Sequence, residues 1–180
     1  AGPRGMEWLT IPFRHAHPQT IDAVEIADPT WWWQHRNRIA GIYQAAPGYA
    51  AARPYIDRLL ADEFSHVADV ATASTRMLME AFGIETPIVR SSTLRDVRGQ
   101  KSDLVLSICR AVEASCYLAG QTSAESYLDV GAFHAAGVEV EVQSFAPPLY
   151  VRPWPMPAVS CLSALDAWLC VGDSVGGLLG

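Results

Sequence analysis

A chain of 180 residues, half of them hydrophobic, is long enough for one domain with a sizeable core, and two full domains would be a tight fit. Thirteen Lys and Arg against nineteen Asp and Glu leave a formal charge of −6, which argues against nucleic-acid binding because affinity for phosphate backbones needs a basic face. No apolar run reaches the ~20 residues of a membrane span, and Cys109, Cys116, Cys161 and Cys170 have neither CxxC spacing nor the density of a disulfide scaffold. Reduced thiols in a cytoplasmic protein without a membrane partner are therefore expected.

In chain order, Trp8 to Phe13 reads as a short strand whose Pro12 places it at an edge, and Ala23 to Ile26 as a second strand. Between them, Arg14-His15-Ala16-His17-Pro18-Gln19 is a polar turn. Asp28-Pro29-Thr30 predicts a capped helix start. The helix that follows places Trp32, His35, Ile39 and Tyr43 on one face and stops near Ala46-Pro47-Gly48. Further helices are predicted over Ala50 to Leu60 and over Ser65 to Phe82, the second ended by Gly83 and burying Val67, Val70, Leu78 and Phe82.

Pro87 to Ser92 reads as a strand, and a charged loop leads from it into a helix over Ser102 to Ser115, with Cys109 on its apolar side. Cys116 to Ala119 is a short apolar strand that ends at Gly120 and passes through Gln121-Thr122-Ser123 into a helix. Val138 to Val142 alternates strictly and predicts an edge or half-exposed strand. Five prolines between Pro147 and Pro157 make a stiff extended loop, and Ser160 to Val171 closes the chain as a helix with Leu162, Leu165, Trp168 and Leu169 inward. Alternation of strand and helix predicts an α/β fold: a mostly parallel sheet covered by helices, in a single domain over residues 1–180.

Several of these segments resemble, in order, landmarks of the WbqC-like family, bacterial proteins of surface-polysaccharide and secondary-metabolite biosynthesis. They are Leu9-Thr10-Ile11-Pro12, the helix with Trp32, His35, Ile39 and Tyr43 leading to Ala46-Pro47, and Tyr117-Leu118-Ala119-Gly120 with Tyr127-Leu128-Asp129. Phe133, Gly137-Val138-Glu139-Val140, Tyr150, Leu162-Ser163-x-x-Asp166 and Gly172 complete the series. The resemblance covers nearly the whole chain. It implies a biosynthetic protein acting on amine-bearing or activated small molecules. Members usually open with a strand and a His-Gln-Pro segment, which Ala1 to Gly5 do not match. An opening strand is therefore expected to be missing, and the unpaired sheet edge to be covered by a partner chain or a homo-oligomer.

Four groups of residues are candidates for chemistry. Gly120, Thr122 and Ser123 lie where a strand ends and a helix begins, a place suited to an anion, although an ordinary capped turn explains the same residues. Arg14 and His15, with His17, form a loop able to clamp an anion and move a proton, or are simply exposed. His35, between Trp32 and Tyr43, is either a pocket residue or a satisfied half-buried histidine. Asp166 is a buried carboxylate that either anchors the proline-rich loop, through Arg152, or acts as a general base with a raised pKa. Tyr150 and Gln143 are placed as lining of the same cleft.

The spacing of His15 and His17 does not make a zinc site, and neither a P-loop nor a dinucleotide fingerprint occurs, so no metal or cofactor is expected. No Gly-x-Ser-x-Gly elbow marks a covalent hydrolase. The leading expectation is a transferase- or cyclase-type enzyme. It would promote attack of an amine on an activated small-molecule or carrier-bound intermediate, with His15, His35 or Asp166 as base and Arg14 or Gly120 to Ser123 near the leaving group. The alternative is a noncatalytic subunit that binds substrate or carrier protein and completes a partner's active site.

Overall fold

A computed structural model describes residues 1–14, 19–61, 63–155 and 161–179. The chain forms two compact units, one from Ala1–Thr86 with Pro147–Gly180 and the other from Pro87–Ala146.

The first unit is helical. Asp28 accepts hydrogen bonds at 2.7 Å from both the backbone nitrogen and the hydroxyl of Thr30, and this Asx turn starts α1, Trp31–Tyr43. Helix α2 spans Tyr49–Ala61 and α3 spans Val67–Phe82. Gly83 ends α3 in the left-handed conformation (φ 70°), and the Ile84 nitrogen donates back to the Met79 carbonyl at 2.9 Å. That is the closing bond of a glycine cap, which a side-chain-bearing residue would form only under strain.

Buried residues recur at helical spacing along each of these helices: Trp31, Ile39 and Tyr43, then Ala52, Ile56 and Leu60, then Val70 and Met77. They meet the buried face of a short helix near the C-terminus, Ala167, Trp168, Leu169 and Cys170. That helix follows Ser163, whose hydroxyl accepts from the Leu165 nitrogen at 3.2 Å. A 3-10 segment, Gly172–Leu179, continues the chain. The Gly48 nitrogen donates to the Leu169 carbonyl at 2.9 Å, and a Cβ on Gly48 would lie 2.2 Å from the Trp168 carbonyl oxygen and 2.8 Å from the Gly172 Cα. Backbone meets backbone there, so only glycine fits.

The second unit holds the sheet. Helix α4, Lys101–Ala111, leads to β1, Cys116–Ala119. Two short helices follow, α5 over Gln121–Ser126 and α6 over Val130–Ala135, and then β2, Glu139–Val142. The closing helix of the first unit, Ala164–Val171, is α7. Strand β2 pairs parallel to β1, Cys116 opposite Glu139 through Ala119 opposite Val142. Leu106, Cys109, Phe133 and Val138 form this unit's buried centre.

The fold is thus mixed α/β, with one two-stranded parallel sheet among the described residues. Three expected strands do not form. Trp8 to Phe13 makes only the isolated antiparallel bridge of Phe13 with Ile26, because Pro12 has no N–H to continue a ladder and Trp8 stands 84% exposed. Ala23 to Ile26 splits into a 3-10 turn, Ile21–Ala23, and single bridges at Glu25 and Ile26. Pro87 to Ser92 is irregular, with a 3-10 turn at Ser91–Thr93. The last helix starts at Ala164 rather than Ser160, and residue 160 lies outside the described residues. Val70 is buried as expected, Val67, Leu78 and Phe82 are half-buried, and Met77 is the second buried residue of α3.

The fully buried Leu169 and the close approach at Gly48 make two tests of the first unit's packing. Leu169→Ala is expected to lower stability by about 2–5 kcal/mol through loss of apolar burial and a residual cavity. Gly48→Ala is expected to cost roughly 3 kcal/mol, because backbone on both sides must part. Urea denaturation of the two variants beside the wild type measures both.

Candidate functional site

Asp166 is the one buried charged side chain among the described residues, 3% exposed. It sits in the first turn of α7, and four donors converge on it. Oδ1 accepts from the Tyr43 hydroxyl, at the end of α1, and lies 2.7 Å from the nitrogen of Ala1. Oδ2 accepts from the Tyr150 hydroxyl at 2.7 Å and the Arg152 Nε at 3.4 Å. A carboxylate has about four lone-pair positions, so this one is saturated.

The Arg152 guanidinium also stacks over the Tyr150 ring, 4.9 Å from its centroid, and Trp154 packs edge-on against Tyr43 at 5.4 Å. The proline-rich segment is thereby fastened to α1 and α7 by side chains rather than by backbone ladders. The indole nitrogen of Trp154 is buried with no hydrogen-bond partner among the described residues.

Burial pushes the Asp166 carboxyl upward, but the hydrogen bonds from the residue 1 nitrogen, Tyr43 and Tyr150 outweigh it and hold the group below the ordinary aspartate value. The raised pKa that a general base would need is therefore absent, and the anchoring role, through Arg152 as expected, is the one the geometry supports. Burial, reinforced by the hydrogen bond to Asp166 and its charge, pushes the Tyr43 and Tyr150 phenols well above the ordinary tyrosine value, so both remain donors. The same burial, with Asp166 nearby, raises the Cys170 thiol to about 11, which leaves it an unreactive core group.

A cavity of about 280 Å³ opens beside this cluster. Its walls are mainly apolar, with Met6, Leu9, Ile39, Ile42 and Leu165 among them, and its polar groups are Glu7, Arg38, Tyr43, Ser163 and Asp166. Glu7 Oε2 is ion-paired with Arg38, while Oε1 makes no hydrogen bond among the described residues. Cys161, with a positive φ of 59°, stands on the rim. Glu7, Arg38 and Cys161 carry no sequence signal of their own. Only the fold brings the opening segment and α1 against the start of α7.

The other expected site residues separate. Trp32 and Tyr43 share a face of α1 but stand eleven residues apart, roughly 16 Å along the axis, too far for one small pocket. Trp32 lines a different hollow of about 540 Å³ with Trp31, Arg36 and Asp57, where Arg36 and Asp57 pair at 3.0 Å. His35 lies at 3.1 Å, through Nε2, from the Thr10 carbonyl and edge-on to Trp31 at 5.0 Å. Burial lowers its pKa, opposed by the Thr10 contact.

Arg14 is exposed and pairs with Glu25 at 3.6 Å. His15 and His17 lie outside the described residues. Gly120, Thr122, Ser123 and Gln143 all belong to the second unit. There Gly120 caps a six-residue helix without a side-chain bond, the Ser123 nitrogen donates to the Gly120 carbonyl at 3.0 Å, and the Gln143 nitrogen extends the ladder to Ala119 at 2.8 Å. These contacts are those of an ordinary strand-to-helix turn. Among the described residues no three His, Cys, Asp or Glu side chains gather as a metal centre, and no helix is long and apolar enough to cross a membrane.

The anchor has a pH signature. Below the ordinary aspartate value of 3.8, the unfolded chain holds the proton at this position more than the folded chain does, so stability rises with pH across that window. The contribution is present above the unfolded value and is lost as pH falls through the lower native one. Asp166→Asn is expected to cost about 3–5 kcal/mol at neutral pH, because Arg152 loses its buried counter-charge, and to flatten this part of the acid limb. Denaturant titrations between pH 2 and 7 measure both effects.

The family model of the WbqC-like protein family matches residues 1–175. With the match reaching from residue 1 to residue 175, the expected lack of the family's opening segment is not borne out. No curated protein and no solved structure gives a significant match.

Proposed function

This chain belongs to the WbqC-like protein family, and from that premise we propose that it is a biosynthetic enzyme promoting attack of an amine on an activated small-molecule or carrier-bound intermediate. The observation that carries the reading is the cavity beside Asp166, in which two carboxylates and one guanidinium interrupt an apolar wall. Asp166 is already paired with Arg152 and Glu7 with Arg38, so the apolar wall suits a ligand with an apolar body and the Glu7 carboxylate is the group that can accept from its amine.

Asp166 is a positioning residue in this scheme. Its lone pairs are committed, and it holds Tyr43 and the proline-rich segment in place. Glu7 is the lining carboxylate with an oxygen left to accept a proton. As the amine nitrogen forms its bond to the electrophilic carbon, the bond to the leaving group breaks, and Glu7 takes the proton that the nitrogen sheds. Intermolecular attack is group transfer, and attack within one molecule is ring closure. Reaction of this kind uses no redox cofactor.

A second reading is favoured by the exposed apolar groups of the opening segment, Met6, Trp8, Leu9 and Phe13. Such a surface suits a subunit that lends its cavity to a partner chain or to another copy of itself.

Mass spectrometry of amino acids and amino sugars, incubated with acyl-thioester and nucleotide-activated partners, tests the first reading. Wild-type protein is expected to form a new C–N product, and Glu7→Gln to slow it by about 10²–10⁴-fold with unchanged denaturation. Full activity in Glu7→Gln would remove the assignment. Product that forms only after a neighbouring gene product is added would establish the subunit instead.

A further inference from the structure

The second unit carries a basic hollow that the amine reaction leaves unused. Arg95, Arg98 and Arg110 line a cavity of about 630 Å³ together with Thr93, Leu94, Asp96, Ser107 and Ala111. In a chain of net charge −6, three cations against one carboxylate on a single concave surface is a local reversal of sign. Elsewhere in the chain Arg14, Arg36, Arg38, Arg53, Arg58 and Arg152 are each paired with an acidic side chain. Among the described residues none pairs with Arg95, Arg98 or Arg110, and Asp96 lines the hollow without reaching any of the three.

The local backbone holds this arrangement. The Arg98 nitrogen donates to the Ser107 hydroxyl at 3.1 Å, and that hydroxyl donates to the Leu104 carbonyl at 2.8 Å. The loop is thus pinned to α4 one turn before Arg110, which shares the Ser107 face at a spacing of three residues. Gly99 (φ 101°) brings the loop so close that a Cβ there would lie 2.9 Å from the Asp103 Cβ. Asp96 adopts a left-handed φ of 60°, which aspartate tolerates better than most residues. Two arginines from a fixed loop and one from a helix therefore face a common space. The Thr93 and Ser107 hydroxyl protons are already given to the Arg90 and Leu104 carbonyls, so recognition falls to the guanidiniums.

We propose that this hollow is a binding site for a phosphate or diphosphate group, held by Arg95, Arg98 and Arg110. Three planar forks around one concave space match the several acceptor oxygens and high charge of a diphosphate better than a single carboxylate. A carboxylate-rich peptide carries its charges several ångströms apart and satisfies the three forks less well. The site does not depend on the reaction assigned to the other unit.

Isothermal titration calorimetry of the whole chain with inorganic phosphate, pyrophosphate and uridine diphosphate tests the proposal, with a glutamate oligomer as the competing occupant. All three arginines are exposed, so Arg95→Gln, Arg98→Gln and Arg110→Gln are compatible with the fold, which circular dichroism checks. Pyrophosphate is expected to bind more tightly than phosphate. Each variant is expected to weaken it roughly tenfold and the triple variant to abolish it, while Arg76→Gln on α3 changes nothing. Tighter binding of uridine diphosphate than pyrophosphate, with the same arginine dependence, would identify a nucleotide as the source of the group. Absence of pyrophosphate binding, binding untouched by the triple variant, or a preference for the glutamate oligomer would overturn the proposal.

Discussion

One buried carboxylate organises the first unit. A charge removed from water is costly unless it is paired and hydrogen-bonded, and Asp166 meets that demand with Tyr43, Tyr150, Arg152 and the nitrogen of residue 1. Those donors come from three parts of the chain that share no backbone ladder. The opening segment, the end of α1 and the proline-rich segment are therefore held against α7 mainly by this polar centre and by the apolar packing around Trp168 and Leu169. Prolines exclude regular pairing there, so side-chain fastening is the arrangement left to that segment.

The same centre decides what the adjoining cavity can do. Both carboxylate oxygens are occupied by donors and the pKa is held down, so in the proposed reaction Asp166 positions its neighbours rather than moving a proton. In the proposed reaction the proton acceptor is Glu7, which the fold brings from the opening segment into an ion pair with Arg38. Arg38, one turn before Ile42 on α1, sets the charge at the mouth. A buried structural anion with a second, accessible carboxylate is a physically consistent way to receive a cationic or amine group without losing the fold.

Local signals proved legible wherever periodicity or a cap decided the matter. Gly83 ends α3, the Asp28-Pro29-Thr30 turn starts α1, and Cys116 to Ala119 forms a strand with Val138 to Val142 pairing almost over its whole predicted length. Failures came where an apolar run lacked a neighbour to pair with. Trp8 to Phe13 and Pro87 to Ser92 have strand-like composition, yet proline removes donors, and among the described residues the first pairs only at its end, where Phe13 bridges Ile26. The Asp166 anchor and its link to Arg152 were readable, because a carboxylate among inward leucines demands a partner. Sharing a helix face misled at Trp32 and Tyr43, since face says nothing of distance along the axis. Glu7 with Arg38, and the three arginines of the second unit, meet only through tertiary placement.

The claim that Asp166 is a saturated, ionised anchor is tested most directly by following its side-chain carboxyl resonance through an acid titration of the folded protein. An inflection below 3.8 is expected, moving upward when Tyr43→Phe or Tyr150→Phe removes a donor. An inflection above that value, or one indifferent to both tyrosines, would contradict it.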